Sequence, residues 1–102
     1  MNLQILENIR QLKRELLPDE RLILFGSQAR GDARPDSDWD LLLLIKSSTS
    51  LDDEIKYSYP FSKLGWKHNI DMNVLLYSEK DWQKRNFTPL YKNVLTDGIE
   101  IN

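Results

Sequence analysis

A chain of 102 residues with 40% hydrophobic and 29% charged side chains has the makings of one folded domain, residues 1–102, with no room for a separate substrate-binding domain. Fourteen Lys and Arg against sixteen Asp and Glu leave a net charge of -2 without any basic run, so a polynucleotide is a poor partner for it. The absence of cysteine excludes disulfides and thiolate metal sites, and neither the N-terminus nor the longest apolar run, Leu41 to Ile45, has the length of a signal peptide core or a membrane span; the expected setting is cytoplasmic, away from membranes.

Leu3, Leu6, Ile9, Leu12 and Leu16 recur at spacings of three and four, which predicts an amphipathic helix over residues 2 to 17 that ends before Pro18. Leu22 to Phe25 is a short apolar run stopped by Gly26 and reads as a buried strand. A helix begins at Gln28, with Ser27 as its expected N-cap, and Gly31 to Ser37, rich in Gly, Asp and Pro, reads as a surface loop.

Leu41 to Ile45 reads as a second buried strand, its extended backbone starting near Asp38. Ser47-Ser48-Thr49-Ser50 is a polar break suited to cap a helix over roughly 51 to 66, which Pro60 should kink or divide. Ile70 to Tyr77 alternates Ile70, Met72, Val74 and Leu76 with Asp71 and Asn73, as a strand with one buried face does. Ser78 followed by Asp81 resembles a capping box for a short helix, and Thr88-Pro89 opens another that runs through Leu95 to a terminus at Gly98. Ile99 to Ile101 suits a brief edge strand. The alternation of helices and strands predicts an α/β domain with a small central sheet.

The chemistry is concentrated in Leu24-Phe25-Gly26-Ser27-Gln28-Ala29-Arg30-Gly31 and, after six loop residues, Asp38-Trp39-Asp40-Leu41. A strand that ends in Gly-Ser and turns into a helix offers free backbone N–H groups, with no Cβ at Gly26 to obstruct an anion such as phosphate. Asp38 and Asp40 are two apart, so on extended backbone both carboxylates leave the same face while Trp39 and Leu41 point into packing. Two such carboxylates about 4 Å apart repel by roughly 4 kcal/mol at an effective dielectric near 20, which a cation would relieve. Oxygen ligands select a hard ion such as Mg²⁺, and substrate phosphates and waters would complete its shell. Asp71, at the start of a strand, is the candidate third ligand; Asp52, Asp53 and Glu79 fall in helices and are weaker choices.

Gly26-Ser27, ten residues, then Asp38-Trp39-Asp40 resembles the signature of the DNA polymerase beta nucleotidyltransferase superfamily, and in particular its minimal nucleotidyltransferase (MNT) group. Arg30-Gly31, Ser37, Asp71 before an apolar strand, the segment Leu90 to Leu95 and Asp97-Gly98-Ile99 extend the resemblance over nearly the whole chain. It implies the palm-like nucleotidyltransferase fold, a small mixed sheet flanked by helices. It further implies that Gly26 and Ser27 contact the β and γ phosphates and that Asp38 and Asp40 bind both metal ions, Mg²⁺; Arg30, one turn on, is a further candidate to reach the triphosphate. Asp71 then binds the catalytic metal and can accept the proton of the attacking hydroxyl. Members of the group commonly accompany a HEPN-domain protein and resemble antitoxins that attach AMP, from ATP, to a tyrosine of that partner.

Each feature has a plainer reading. A lone Gly-Ser turn is ordinarily structural and a lone Asp-x-Asp ordinarily caps a helix, but the two together, each joined to an apolar strand, point to one site. A strand-edge aspartate such as Asp71 is often only solvated, and Arg30 can pair with Asp32 or Asp36 instead of a triphosphate. Trp66, Trp82, Phe87 and Tyr91 suit a core as readily as a partner patch, and His68, in a polar turn, has no assigned role. Two other functions stay open: nucleotidyl transfer to a small hydroxylated molecule, and neutralisation of a partner by binding alone. The preferred nucleotide is not marked, and a homo-oligomer remains open.

Overall fold

In a computed structural model, described for residues 1–47 and 49–102, helix α1 (Leu3–Leu16) leads into strand β1 (Arg21–Phe25), the single turn α2 (Ser27–Arg30) and strand β2 (Trp39–Ile45). Short α3 (Leu51–Asp53), a π-helical turn (Glu54–Ser58) and α4 (Tyr59–Lys67) form the crossover to β3 (Met72–Ser78), and α5 (Glu79–Lys84) and α6 (Pro89–Asp97) precede β4 (Ile99–Ile101). The sheet order is β3-β2-β1-β4; β2 and β3 run parallel, and β1 runs antiparallel to both β2 and β4. The expected small mixed sheet flanked by helices is therefore present.

Strand β2 is buried on both faces because helices cover the sheet on either side. Trp39, Leu41, Leu43 and Ile45 point toward Ile5 and Ile9 of α1 and Phe61 of α4, while Leu42 and Leu44 point toward Trp82 of α5 and Val94 of α6. On β1 the division is Leu22 and Leu24 against Ile23 and Phe25. No described helix is long and apolar enough to cross a membrane.

Local chemistry explains most element ends. Asn2 caps α1 by accepting from the N–H groups of Gln4 and Ile5 at 3.0 and 3.2 Å, and Thr88 caps α6 with Pro89 in its first turn. The reciprocal capping box forms at Ser50 and Asp53, within the polar break whose Ser48 lies outside the described residues. At Ser78 the hydroxyl accepts from Asp81 N–H at 3.0 Å, which is half of the expected box.

Two sequence expectations need correction, and the expected division of the helix at Pro60 is met in a form that the sequence does not specify. Ser27 is the first helical residue and not the N-cap; Gly26 holds that position, and its carbonyl accepts from Arg30 N–H at 3.0 Å. The helix over 51 to 66 widens into a π turn just before Pro60, whose ring and missing N–H are incompatible with an α-register bond to the carbonyl of Lys56. Ile70 and Asp71 lie just ahead of β3 and outside it, joined to β2 through Trp39 N–H, which donates to the Asp71 carbonyl at 2.9 Å.

Trp39 is 2% exposed and lies directly beneath the acidic segment. Replacing it with Ala should cost about 3–5 kcal/mol through loss of burial and the resulting cavity, measurable as a lowered midpoint in urea unfolding.

Candidate active site

The antiparallel pairing of β1 with β2 brings the C-terminal end of β1 to the N-terminal end of β2, where Phe25 pairs with Asp40. The parallel pairing of β2 with β3 adds the start of β3, where Asp40 pairs with Asn73. One end of the sheet thus collects Gly26, Asp38, Asp40 and Asn73, with Asp71 one register step before the Trp39–Met72 pair and so level with Asp38. Because Asp40 shares a strand face with Leu42, the site lies on the side of the sheet that α5 and α6 cover farther along.

The two carboxylates converge on a single nitrogen. Asn73 Nδ2 donates to Asp38 Oδ2 at 3.1 Å and to Asp40 Oδ1 at 3.0 Å. A carboxylate only accepts, so the orientation of the Asn73 amide is fixed by its neighbours: turned over, its oxygen would face two anions. Asp38 and Asn73 are exposed and Asp40 is half-buried.

The other oxygen of Asp40 faces the turn. A Cβ on Gly26 would collide with Asp40 Oδ2, and Gly26 has φ of 77°, in the region that favours glycine. The glycine is needed for a close approach of carboxylate to backbone, so the two halves of the motif touch. The first-turn N–H groups of α2 have no intrahelical partner, and Ser27 stands among them.

Arg30, at the other end of α2, is engaged with acids: its Nε donates to Asp32 at 3.2 Å and its Nη1 to Asp97 of α6 at 3.5 Å. The hydrogen bond to Asp32, followed in weight by that carboxylate's charge, holds the guanidinium above its ordinary pKa, so Arg30 stays protonated at any pH the fold survives. The structure brings together Gly26, Ser27, Asp38 and Asp40, with Arg30 tied to the rim.

Asp71 is a different case. Among the described residues no three Asp, Glu, His or Cys side chains gather at metal-binding distance, so the acidic centre of this structure is a pair with Asp71 beside it. The pair supplies oxygen donors only, and its convergence on one point suits a hard cation.

Sequence reasoning missed three contributors. Asn73 reads as the solvent-facing partner in an alternating strand. Gln28 is 5% exposed, and its Nε2 donates to the Ser37 carbonyl at 3.3 Å, fixing the loop just before Asp38. Asp97 holds Arg30 from 67 positions away. The aromatic quartet divides: Trp82 is buried and stacked on half-buried Tyr91 at 5.0 Å, while Trp66 and Phe87 are exposed on separate elements. His68 is half-buried, 3.4 Å from Asn8. A concavity of about 770 Å³ between α1 and α4 lies on the opposite face of the sheet and is lined by none of Asp38, Asp40 and Asp71. Chemistry and not cavity size marks the site.

Residues 5–98 match the model of the nucleotidyltransferase domain. The chain belongs to the nucleotidyltransferase domain family. Two Methanocaldococcus jannaschii relatives, both named "putative protein adenylyltransferase", are 34% identical over 97% of this chain and 100% of their own length, and 30% identical over 78% and 74%. A solved minimal nucleotidyltransferase superposes with a TM-score of 0.65 at 26% identity, covering 97% of this chain and 95% of its own. A toxin–antitoxin structure with AMP-PNP superposes at 0.69 and 21% identity, covering 100% of this chain and 73% of its own, which extends the likeness of fold.

Two outcomes test the geometry of this candidate site. Gly26→Ala should destabilise the protein by about 1–3 kcal/mol or more, and only the collision part of that cost should vanish in an Asp40→Ala background, the backbone strain at φ of 77° remaining; a double-mutant cycle in urea reads the coupling. Asp40→Asn keeps an acceptor for the Asn73 amide but removes one of two like charges, so its melting temperature in EDTA should rise slightly above that of the parent protein.

Proposed function

We propose that the chain transfers AMP from ATP to a hydroxyl of a partner protein, a tyrosine of a HEPN-domain toxin, and thereby acts as its antitoxin in the cytoplasm. The observation that carries this reading is the convergence of the Asp38 and Asp40 carboxylates against the Gly26 turn, an acidic pair in contact with a backbone built for a phosphate. The names of related proteins support the acceptor class. One structural neighbour is a Shewanella oneidensis MNT antitoxin in complex with its tri-AMPylated HEPN toxin, with a TM-score of 0.63 at 18% identity, and the M. jannaschii relatives are named for protein adenylyl transfer.

In this reading Asp38 and Asp40 would hold Mg²⁺, with Asp71 turning in from beside the pair to join them, and the ion would supply positive charge against the triphosphate and the developing pyrophosphate. The backbone N–H groups at Gly26 and Ser27 would donate to the β and γ phosphates, beside the Asp40 carboxylate that the missing Cβ of Gly26 admits. Arg30 can leave its acids for the phosphates, since solvent-exposed ion pairs are weakly held. The acceptor hydroxyl oxygen bonds to the α-phosphorus as the bond from that phosphorus to the bridging oxygen breaks, and pyrophosphate leaves with the electron pair. Asp71 takes the hydroxyl proton.

Incubation with Mg²⁺, ATP and the HEPN-domain partner, followed by intact-mass measurement, should show the partner gaining AMP units. Asp38→Asn should slow that gain by about a hundredfold or more, as expected when several kcal/mol of charge stabilisation are removed. A tight complex with no change of mass would replace this reading with a module that neutralises by binding alone.

A further inference from the structure

The point on which both carboxylates converge is held by a neutral amide. Asn73 Nδ2 carries two hydrogens and has two carboxylate acceptors, Asp38 Oδ2 at 3.1 Å and Asp40 Oδ1 at 3.0 Å, so its donor capacity is filled by the acidic pair. The register of β2 against β3 places it there, with Asn73 directly opposite Asp40. Nothing about the strand's packing calls for an amide at this position, because Asn73 is exposed and its face toward the core belongs to Met72 and Val74.

We propose that Asn73 is a positioning residue that stands in for the cation, bridging Asp38 and Asp40 when no divalent ion is bound and competing with the ion for the same carboxylate oxygens. The inference rests on the cation-dependent reading above. Without a positive donor between them the two carboxylates repel and separate; the two N–H groups hold them in one orientation, with Asp40's second oxygen against Gly26. A cation drawn to the pair has to break those hydrogen bonds. Asn73 therefore keeps the acidic pair assembled at the cost of cation affinity, and sets the divalent-ion concentration at which the site fills.

The test uses the full chain, Mn²⁺ alone as the probe, and the variants Asn73→Ala and Asn73→Asp. Bound Mn²⁺ is read from loss of the free-ion electron paramagnetic resonance signal, and melting temperatures are recorded in EDTA and in saturating Mg²⁺. Asn73→Ala should melt below the parent protein in EDTA, the gap should narrow in Mg²⁺, and the half-saturating Mn²⁺ concentration should fall by about tenfold or more, the least that loss of one hydrogen bond to a charged group produces. Asn73→Asp, which places a third carboxylate in the pair, should melt lower still in EDTA and bind Mn²⁺ more tightly. An equal loss of melting temperature with and without Mg²⁺, at an unchanged Mn²⁺ midpoint, would show that Asn73 only packs. A raised midpoint in Asn73→Ala would show that its side chain helps to bind the ion and does not compete with it. If the parent protein binds Mn²⁺ no better than Asp40→Asn does, the cation-dependent reading itself fails and this inference goes with it.

Discussion

Strand β2 is the constraint on which the rest of the molecule depends. It pairs with β1 on one side and β3 on the other, in opposite senses, and both of its faces are covered. Those pairings carry the end of β1 and the beginnings of β2 and β3 to one end of the sheet, so Gly26, Asp40 and Asn73 become neighbours although the first and last are 47 positions apart. Trp39 and Asp40 leave no slack in the register, since a shift of one residue would turn the Asp40 carboxylate into the core against α1 and α4 and Trp39 out of it. The core therefore fixes the geometry of the acids. Trp39 anchors the strand from below between two carboxylates that look outward.

This explains which parts of the site could be read from the sequence. The Gly26-Ser27 turn, the Asp38-x-Asp40 pair and the buried strands beside them are local patterns with periods that the backbone enforces, and they appear where the pattern places them. Asn73 was hidden because a polar residue in an alternating strand has an ordinary explanation as a solvent-facing one; its role comes from register with a strand more than thirty positions earlier. Gln28 was hidden for the opposite reason. A polar residue in a one-turn helix reads as surface, yet the loop back to Asp38 folds over it and gives its amide the Ser37 carbonyl. Arg30 illustrates a third limit, because its sequence neighbour Asp32 was foreseeable and its distant partner Asp97 was not. The π turn before Pro60 was legible only as a disturbance: the proline forbids an α-register bond without specifying how the chain accommodates that.

Family membership and local geometry constrain different things here. The match over residues 5–98 and the common fold fix the class of chemistry. The particular contacts of this chain fix how its acidic pair is held: a neutral amide between the carboxylates, a glycine pressed against one of them, and an arginine bound to two other acids at the rim. These are not separable features. The glycine allows Asp40 to lie close to the turn, and that closeness directs one oxygen of Asp40 toward the turn while the other reaches Asn73.

The energetics of the pair follow from its exposure. Two carboxylates about 4 Å apart repel by roughly 1 kcal/mol in bulk water and about 4 kcal/mol at an effective dielectric near 20, and a pair with one exposed and one half-buried member falls between these limits. Hydrogen bonds to charged groups contribute about 1.5–3 kcal/mol each, so the two from Asn73 are of the size needed to offset that repulsion. The comparison accounts for an acidic pair that stays assembled where, among the described residues, no third acid lies at coordinating distance and no basic side chain bonds to either member. Were the same pair deeply buried, repulsion would outweigh anything a single amide could return, and a charged partner would be required. Placing the pair at the open end of a sheet, with its strand anchored in the core and its carboxylates near water, is what lets one neutral side chain hold it.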